Sequence, residues 1–365
     1  MAFSGRALAA SARRAHIPAR VSDLFGDLDT RSLCEAYALV RSQGQSFDFN
    51  SLRQAADELD PEQCLGVLYG GGFEAEPGQL AALNRPLFGN SPELVSALKD
   101  PVACSALLAR LGIPQPEIRL DPPLQPGGWL AKRRGGAGGS HVRSAAKVEH
   151  DPNVYYQRYI PGRVCSVTLL GNGRDVHSLG FCEQWCDATL PDRPFVYGGA
   201  VTLSPSNFAT SLKRELQDAA YALVAATGLR GLCGFDFIVD DDGWWLIDIN
   251  PRPSATFELH EHNVSLVFLH LQAVRGHLPS VVPDTGATIR AHAIVYAYNR
   301  ITIPAAYNWP FWISDRPCPA TIIDRGEPVC TVHAAASSSD AVHIQLKTRH
   351  QQILEMLSLW QTPSV

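Results

Sequence analysis

Asp236, Asp248, Asn250 and Arg252 stand in one short stretch, GFDFIVDDDGWWLIDINPRPSATFE, running from Gly234 to Glu258. Two β-rich runs, Phe235 to Val239 and Trp244 to Ile249, flank a polar turn that ends in Gly243, a residue that tolerates positive φ. Centring a hairpin on Asp242 sets Asp236 across from Asp248, and alternation of faces puts Asn250 beside Asp248. The opposite face would carry Phe235, Phe237, Val239, Trp245, Ile247 and Ile249, apolar throughout and therefore core. Opposed carboxylates repel by roughly 0.2–1 kcal/mol, and a cation between them removes that cost. Two carboxylates and an amide oxygen suit one or two Mg²⁺ ions, with Mn²⁺ an acceptable substitute. Arg252 would then reach an anion held by the metal. A solvated acidic hairpin face is the plainer alternative.

A second group is Lys132 at the end of an apolar strand, Trp129 to Lys132, with Gly135, Gly136, Gly138, Gly139 and Ser140 in the loop behind it. An ammonium leaving a strand beside glycine amides makes a phosphate clamp. No Gly-Lys-Ser/Thr follows, so this is not a Walker A loop, and a flexible hairpin tip is the alternative. Gly70-Gly71-Gly72-Phe73-Glu74 closes another apolar run. Ligands of open α/β sheets bind at such carboxyl ends, which adds Glu74 to the candidates.

The elements that must position these groups alternate early in the chain. Strand-like runs at Val21 to Phe25 and Cys64 to Tyr69 intersperse with helical patterns through Leu33 to Val40 and Leu52 to Leu59, predicting a small open α/β domain over residues 1–90. Ser91-Pro92-Glu93 opens a helix as cap, first-turn proline and acid, and a second helix follows from Pro101 to Leu111. Strands at Trp129, Val154 to Ile160 and Cys165 to Leu170 then lead to an amphipathic helix, Ser211 to Thr227, closed by Gly228.

Composition narrows the function classes. With 45% hydrophobic and 18% charged residues and a net charge of −5, nothing forms a basic, nucleic-acid-tracking patch. The longest apolar run, Val264 to Val274, is interrupted by His270 and Gln272 and is too short to span a bilayer. Nine irregularly spaced cysteines argue against a disulfide framework and for a reducing, cytoplasmic setting. Cys182 and Cys186 lack a second pair at zinc spacing and are expected to be structural. The acid-free start, MAFSGRALAASARRAHIPAR, could be a transit peptide, but Leu8, Ala12, Ala15 and Ile17 suit a core-covering helix, which is the preferred reading.

The order of these signals resembles the ATP-grasp enzymes over roughly Pro92 to Glu258. Segments such as SGRALAASARRA, DLFGDLDT, GGGFE and NSPELVSALKDP are similar to a carboligase branch found in methylotrophic bacteria and associated with one-carbon cofactor pathways. The resemblance implies an α/β ATP-grasp fold with a pre-ATP-grasp N-terminal domain over 1–90, a small lobe with a glycine-rich lid over 91–165, a large lobe with the metal hairpin over 166–280, and a β-rich module ending in a helix over 281–365. It implies that Lys99 and Lys132 hold ATP phosphates, and that Gln157, Arg158, Tyr159 and Ile160 hinge the two lobes, with the backbone of Arg158 and Ile160 reading adenine. Asp236, Asp248 and Asn250 would bind Mg²⁺, and Arg252 would stabilise the transferred phosphoryl group. Gln157 stands where a glutamate is common. Many relatives dimerise, so a homodimer is the expected assembly.

The C-terminal strands resemble those of biotin carboxylases, but the residues of bicarbonate chemistry are replaced. Thr256 stands at the position of the basic glutamate, Ala297 at that of an anion-binding arginine, and Val295 at that of a further glutamate. The expected reaction is therefore carboxylate–amine ligation on small molecules, through an acyl phosphate, with Glu258 orienting or deprotonating the amine. A carboxylase, or a nucleotide-binding subunit without turnover, is the alternative.

Overall fold

Gly234 pairs with Asn250, Phe235 with Ile249 and Asp236 with Asp248 in the computed structural model, so the two aspartates face each other as the spacing predicts. The structure describes residues 1–63, 65–148, 151–204, 208–282 and 288–360. Beyond Asp236 the register shifts: Phe237 pairs with Leu246 and Val239 with Trp244. Ile247 is the extra residue of a β-bulge, which reverses the faces on the turn side of the hairpin. Trp244 and Leu246, rather than Trp245 and Ile247, therefore join Phe235, Phe237 and Ile249 in the core. Ile247 turns instead to line a cavity.

This hairpin forms one edge of an eight-stranded antiparallel sheet. From Trp244–Asn250 the order runs through Arg230–Val239, Arg163–Asn172, Val176–Cys186, Tyr197–Leu203, Ile289–Tyr296 and Pro328–Ala336 to Ile313–Ser314. The helix Thr210–Thr227, ended by left-handed Gly228, packs Leu216, Ala220, Leu223 and Val224 against one face. The apolar helix Leu266–Val274 covers Leu170 and Leu232 on the other. Such fully buried side chains contribute about 1.5–3 kcal/mol each by leaving water, which makes the sheet a rigid support for the hairpin. The strand Tyr197–Leu203 pairs with Ile289–Tyr296, so the sheet continues across position 280 without a break.

The small lobe is a four-stranded antiparallel sheet ordered Ile118–Arg119, Val154–Arg158, Trp129–Arg133, Val142–Ser144. In the N-terminal part, Arg20–Asp23 pairs in parallel with Ala36–Leu39. The helix expected through Leu33 to Val40 is thus a strand. Asp27 caps a short helix, Leu28–Leu33, by accepting from the Thr30 amide, and the chain then extends to gain its β partner. The run expected from Cys64 to Tyr69 contributes only a bridge from Val67 to Leu87, and Cys64 itself lies outside the described residues. Met1 to Phe3 link the two sides: the Ala2 amide donates to the Ser22 carbonyl and the Phe3 amide to that of Gly71. The first helix, Arg6–Arg14, buries Ala12 as expected, together with Ala9, while Leu8 is half-buried and Ala15 and Ile17 lie beyond its end, also half-buried. Among the described residues no helix is long and apolar enough to cross a membrane.

Candidate active site

Lys99 is the last residue of the helix Pro92–Lys99, and Asp100 starts the next helix by accepting from the amides of Val102 and Ala103. That tight corner aims the Lys99 ammonium at the hairpin, where it donates to Asp248 Oδ1 at 2.7 Å and lies 3.5 Å from Asn250 Oδ1. Asn250 in turn donates to Asp236 Oδ2 at 3.0 Å, and Gln184 donates to Oδ1 at 2.8 Å. The electrostatics divide the pair. Burial, and then the neighbouring Asp248, push the Asp236 carboxyl above its ordinary range. Burial also opposes ionisation of Asp248, but Lys99 and Lys132 outweigh it and hold that carboxyl below its ordinary value. Two facing carboxylates and a neighbouring amide, already drawing in an ammonium, fit a hard divalent cation.

Lys132 leaves the strand Trp129–Arg133 and donates to Gln157 Oε1 at 3.0 Å. Burial lowers its ammonium's proton affinity, an effect partly offset by Asp248 and Asp236. Lys99, Lys132, the two aspartates, Asn250 and Arg252 all line one cavity of about 710 Å³. Gln157, Arg158, Tyr159 and Ile160 border it between the lobes, as do Gly135, Gly136, Gly138 and Gly139. Ser140 does not; its carbonyl accepts from Arg143.

The glycine loop bridges the lobes. The Tyr197 amide donates to the Gly138 carbonyl at 3.0 Å. Gly139 has a φ of +73°, and a Cβ there would overlap the Phe195 carbonyl. Gly139→Ala is expected to prop the loop open. With strain of about 1–3 kcal/mol, nucleotide affinity measured by calorimetry should fall roughly 5- to 150-fold, with little change in the unfolding midpoint. Unaltered affinity would mean that loop docking is irrelevant to the site.

Two acidic candidates behave unlike their sequence expectations. Glu74 is buried and grips Arg252, accepting from Nε at 2.6 Å. Glu258 does not line the cavity. Both of its oxygens accept from Arg6, which also binds Asp315. Burial disfavours the Glu258 carboxylate, but Arg6 overrides this and holds it well below the ordinary range. It is therefore a poor direct base for a substrate amine. Sequence reasoning missed Arg6, placed only in a helix. It also missed His141, which lines the cavity and whose imidazole is lowered to about 4 by burial and then by Lys132. No local motif marks either one.

Residues 99–256 match the model for the ATP-grasp domain. Over 156 residues the chain is 30% identical to D-alanine–D-alanine ligase of Gloeobacter violaceus, covering 42% of this chain and 50% of that protein. Over 120 residues it is 36% identical to tyramine–L-glutamate ligase of Methanocaldococcus jannaschii, covering 33% of this chain and 35% of the relative. The matched part is thus half of the first ligase and about a third of the second. The biotin carboxylase domain of Hydrogenobacter thermophilus 2-oxoglutarate carboxylase, solved as a dimer with MgADP, ADP and bicarbonate, aligns with a TM-score of 0.73 at 12% identity, covering 95% of this chain and 88% of that one. The chain has the α/β ATP-grasp fold, and its match to the ATP-grasp domain spans residues 99–256, less than half of its length.

Proposed function

We propose that this protein is an ADP-forming carboxylate–amine ligase that works through an acyl phosphate. The observation that carries this reading is the convergence of Asp236, Asp248, Asn250, Lys99, Lys132 and Arg252 on one cavity beneath a glycine loop. Mg²⁺ held by Asp236, Asp248 and Asn250 would neutralise phosphate charge. Lys99 and Lys132 bind phosphate oxygens, and Arg252 meets the charge that develops on the transferred group. Phosphoryl transfer needs chiefly such positioning and neutralisation. The Arg158 amide already donates to the Glu117 carbonyl, so adenine recognition by that residue falls to its carbonyl. The loop excludes water from the acyl phosphate.

Carboxylation is disfavoured by the same site. Thr256 lines the cavity where a carboxylase has its base. Val295 and Ala297 are buried in the C-terminal core and offer no anion-binding group. The names of the two relatives, both amino-acid ligases, point the same way. From the carboligase resemblance we infer an amino acid, glutamate first, joined to a pterin- or furan-type precursor of a one-carbon cofactor, in a cytoplasmic homodimer. The test is ADP release against panels of carboxylates and amines, with mass detection of product. ADP should form only when both substrates are present, together with an amide. ADP formation indifferent to the amine, with no amide product, would refute ligation.

A further inference from the structure

Glu258, displaced from the cavity, belongs to a chain of polar groups that reaches it. His292 Nδ1 lies 3.3 Å from Glu258 Oε1, and His292 Nε2 is 2.7 Å from the Tyr197 hydroxyl. Tyr197 lines the cavity, and its backbone amide holds the glycine loop through Gly138. Carboxylate, imidazole and hydroxyl therefore stand in the order by which a buried acid orients a base toward a third group. His292 is 3% exposed, and its Nδ1 has no aligned hydrogen-bond partner. Contacts of this kind are often loose before substrate binds and tighten afterwards.

A metal ion is the competing occupant, since ligand atoms of Glu258, His292 and His333 lie within 4.8 Å of one another. Arg6 argues against it. The guanidinium covers both Glu258 oxygens and also binds Asp315, so the carboxylates already have their cation. His333 Nε2 is engaged with the Ser314 hydroxyl.

We propose that Tyr197 is the general base for the amine substrate, with His292 and Glu258 as the positioning residues behind it. This rests on the ligase reading. A proton passes from the substrate ammonium to the Tyr197 oxygen as the phenol proton passes to His292 Nε2, giving an imidazolium beside Glu258. The freed nitrogen lone pair forms the C–N bond, the C–O bond to phosphate breaks with the phosphate keeping the electron pair, and the second proton on nitrogen passes to the departing phosphate, leaving a neutral amide.

Hydroxylamine separates this role from a structural one, because it is uncharged at neutral pH and needs no base. Wild type and Tyr197→Phe are given ATP, Mg²⁺, the standard amino acids and pteroate as carboxylates, and either L-glutamate or hydroxylamine as acceptor. In Tyr197→Phe the ratio of amide to hydroxamate should fall roughly 10²-fold or more, through kcat rather than KM. His292→Gln should shift the ratio in the same direction. Equal loss of both products would make Tyr197 structural, and an unchanged ratio would remove it from catalysis; either overturns the inference. Wild type that forms neither product, whatever the carboxylate, would overturn the ligase reading itself and this inference with it.

Discussion

Asp248→Asn is expected to abolish Mg²⁺-dependent strengthening of nucleotide binding and to lower turnover by roughly 10²–10³-fold, the usual loss when one preorganised charge is deleted from a site. The substitution keeps the side chain's volume and an oxygen for Lys99, which approaches Asp248 at 2.7 Å. It removes the charge on which the proposed divalent site depends. Asp248 is the member that stays ionised, because Lys99 and Lys132 overcome its burial. Asp236 is the reluctant one, raised by burial and by Asp248 itself. In Asp248→Asn the remaining carboxylate should ionise more readily yet bind a cation alone. Calorimetric titration of nucleotide with Mg²⁺ and with EDTA separates the effects. Wild type should differ between the two conditions and the variant should not. A variant whose Mg²⁺ dependence matches wild type would remove Asp248 from the metal set.

The local parts of this site were legible in the sequence, and the long-range parts were not. The opposed aspartates followed from two apolar runs and a glycine turn, because pairing near a tight turn is fixed by counting. The same count failed beyond Asp236, where Ile247 is inserted on one strand. A one-residue bulge leaves the composition unchanged but exchanges faces, so Trp244 and Leu246 are buried where Trp245 and Ile247 were expected. The segment after Leu33 failed for a related reason. Its apolar spacing admits either periodicity, and pairing of Ala36–Leu39 with Arg20–Asp23 decides the matter. Glu258 was found as a residue but not for what it does. Its partner Arg6 is 252 positions away on the first helix, and His292 looked like an ordinary strand residue. Charge pairs of that separation leave no spacing to count.

Arg252 offers the other large effect, and here stability and activity must be taken apart. Its guanidinium is 11% exposed and meets the Glu74 carboxylate, 2% exposed, through Nε at 2.6 Å and Nη2 at 2.5 Å. Glu74 is further fixed by the Gly72 amide at 2.7 Å. Arg252→Ala strands a buried carboxylate, which typically costs about 3–5 kcal/mol of stability. Loss of activity in that variant alone would therefore prove little. Arg252→Lys keeps the charge but not the two-pronged geometry. It should remain folded by circular dichroism and lose roughly 10²–10³-fold in kcat, the scale of one lost donor to developing negative charge. Glu74→Gln supplies the counterpart: it preserves the arginine while removing the anion that competes for it. If Glu74 only positions Arg252, turnover in Glu74→Gln should fall far less than in Arg252→Lys. If both variants turn over like wild type, the pair is a strut between the N-terminal and ATP-grasp domains, and phosphoryl stabilisation must come from Lys99 and Lys132 alone. The geometry favours the first outcome, because Arg252 lines the cavity together with Asp248 and Asn250 whereas Glu74 stands behind it.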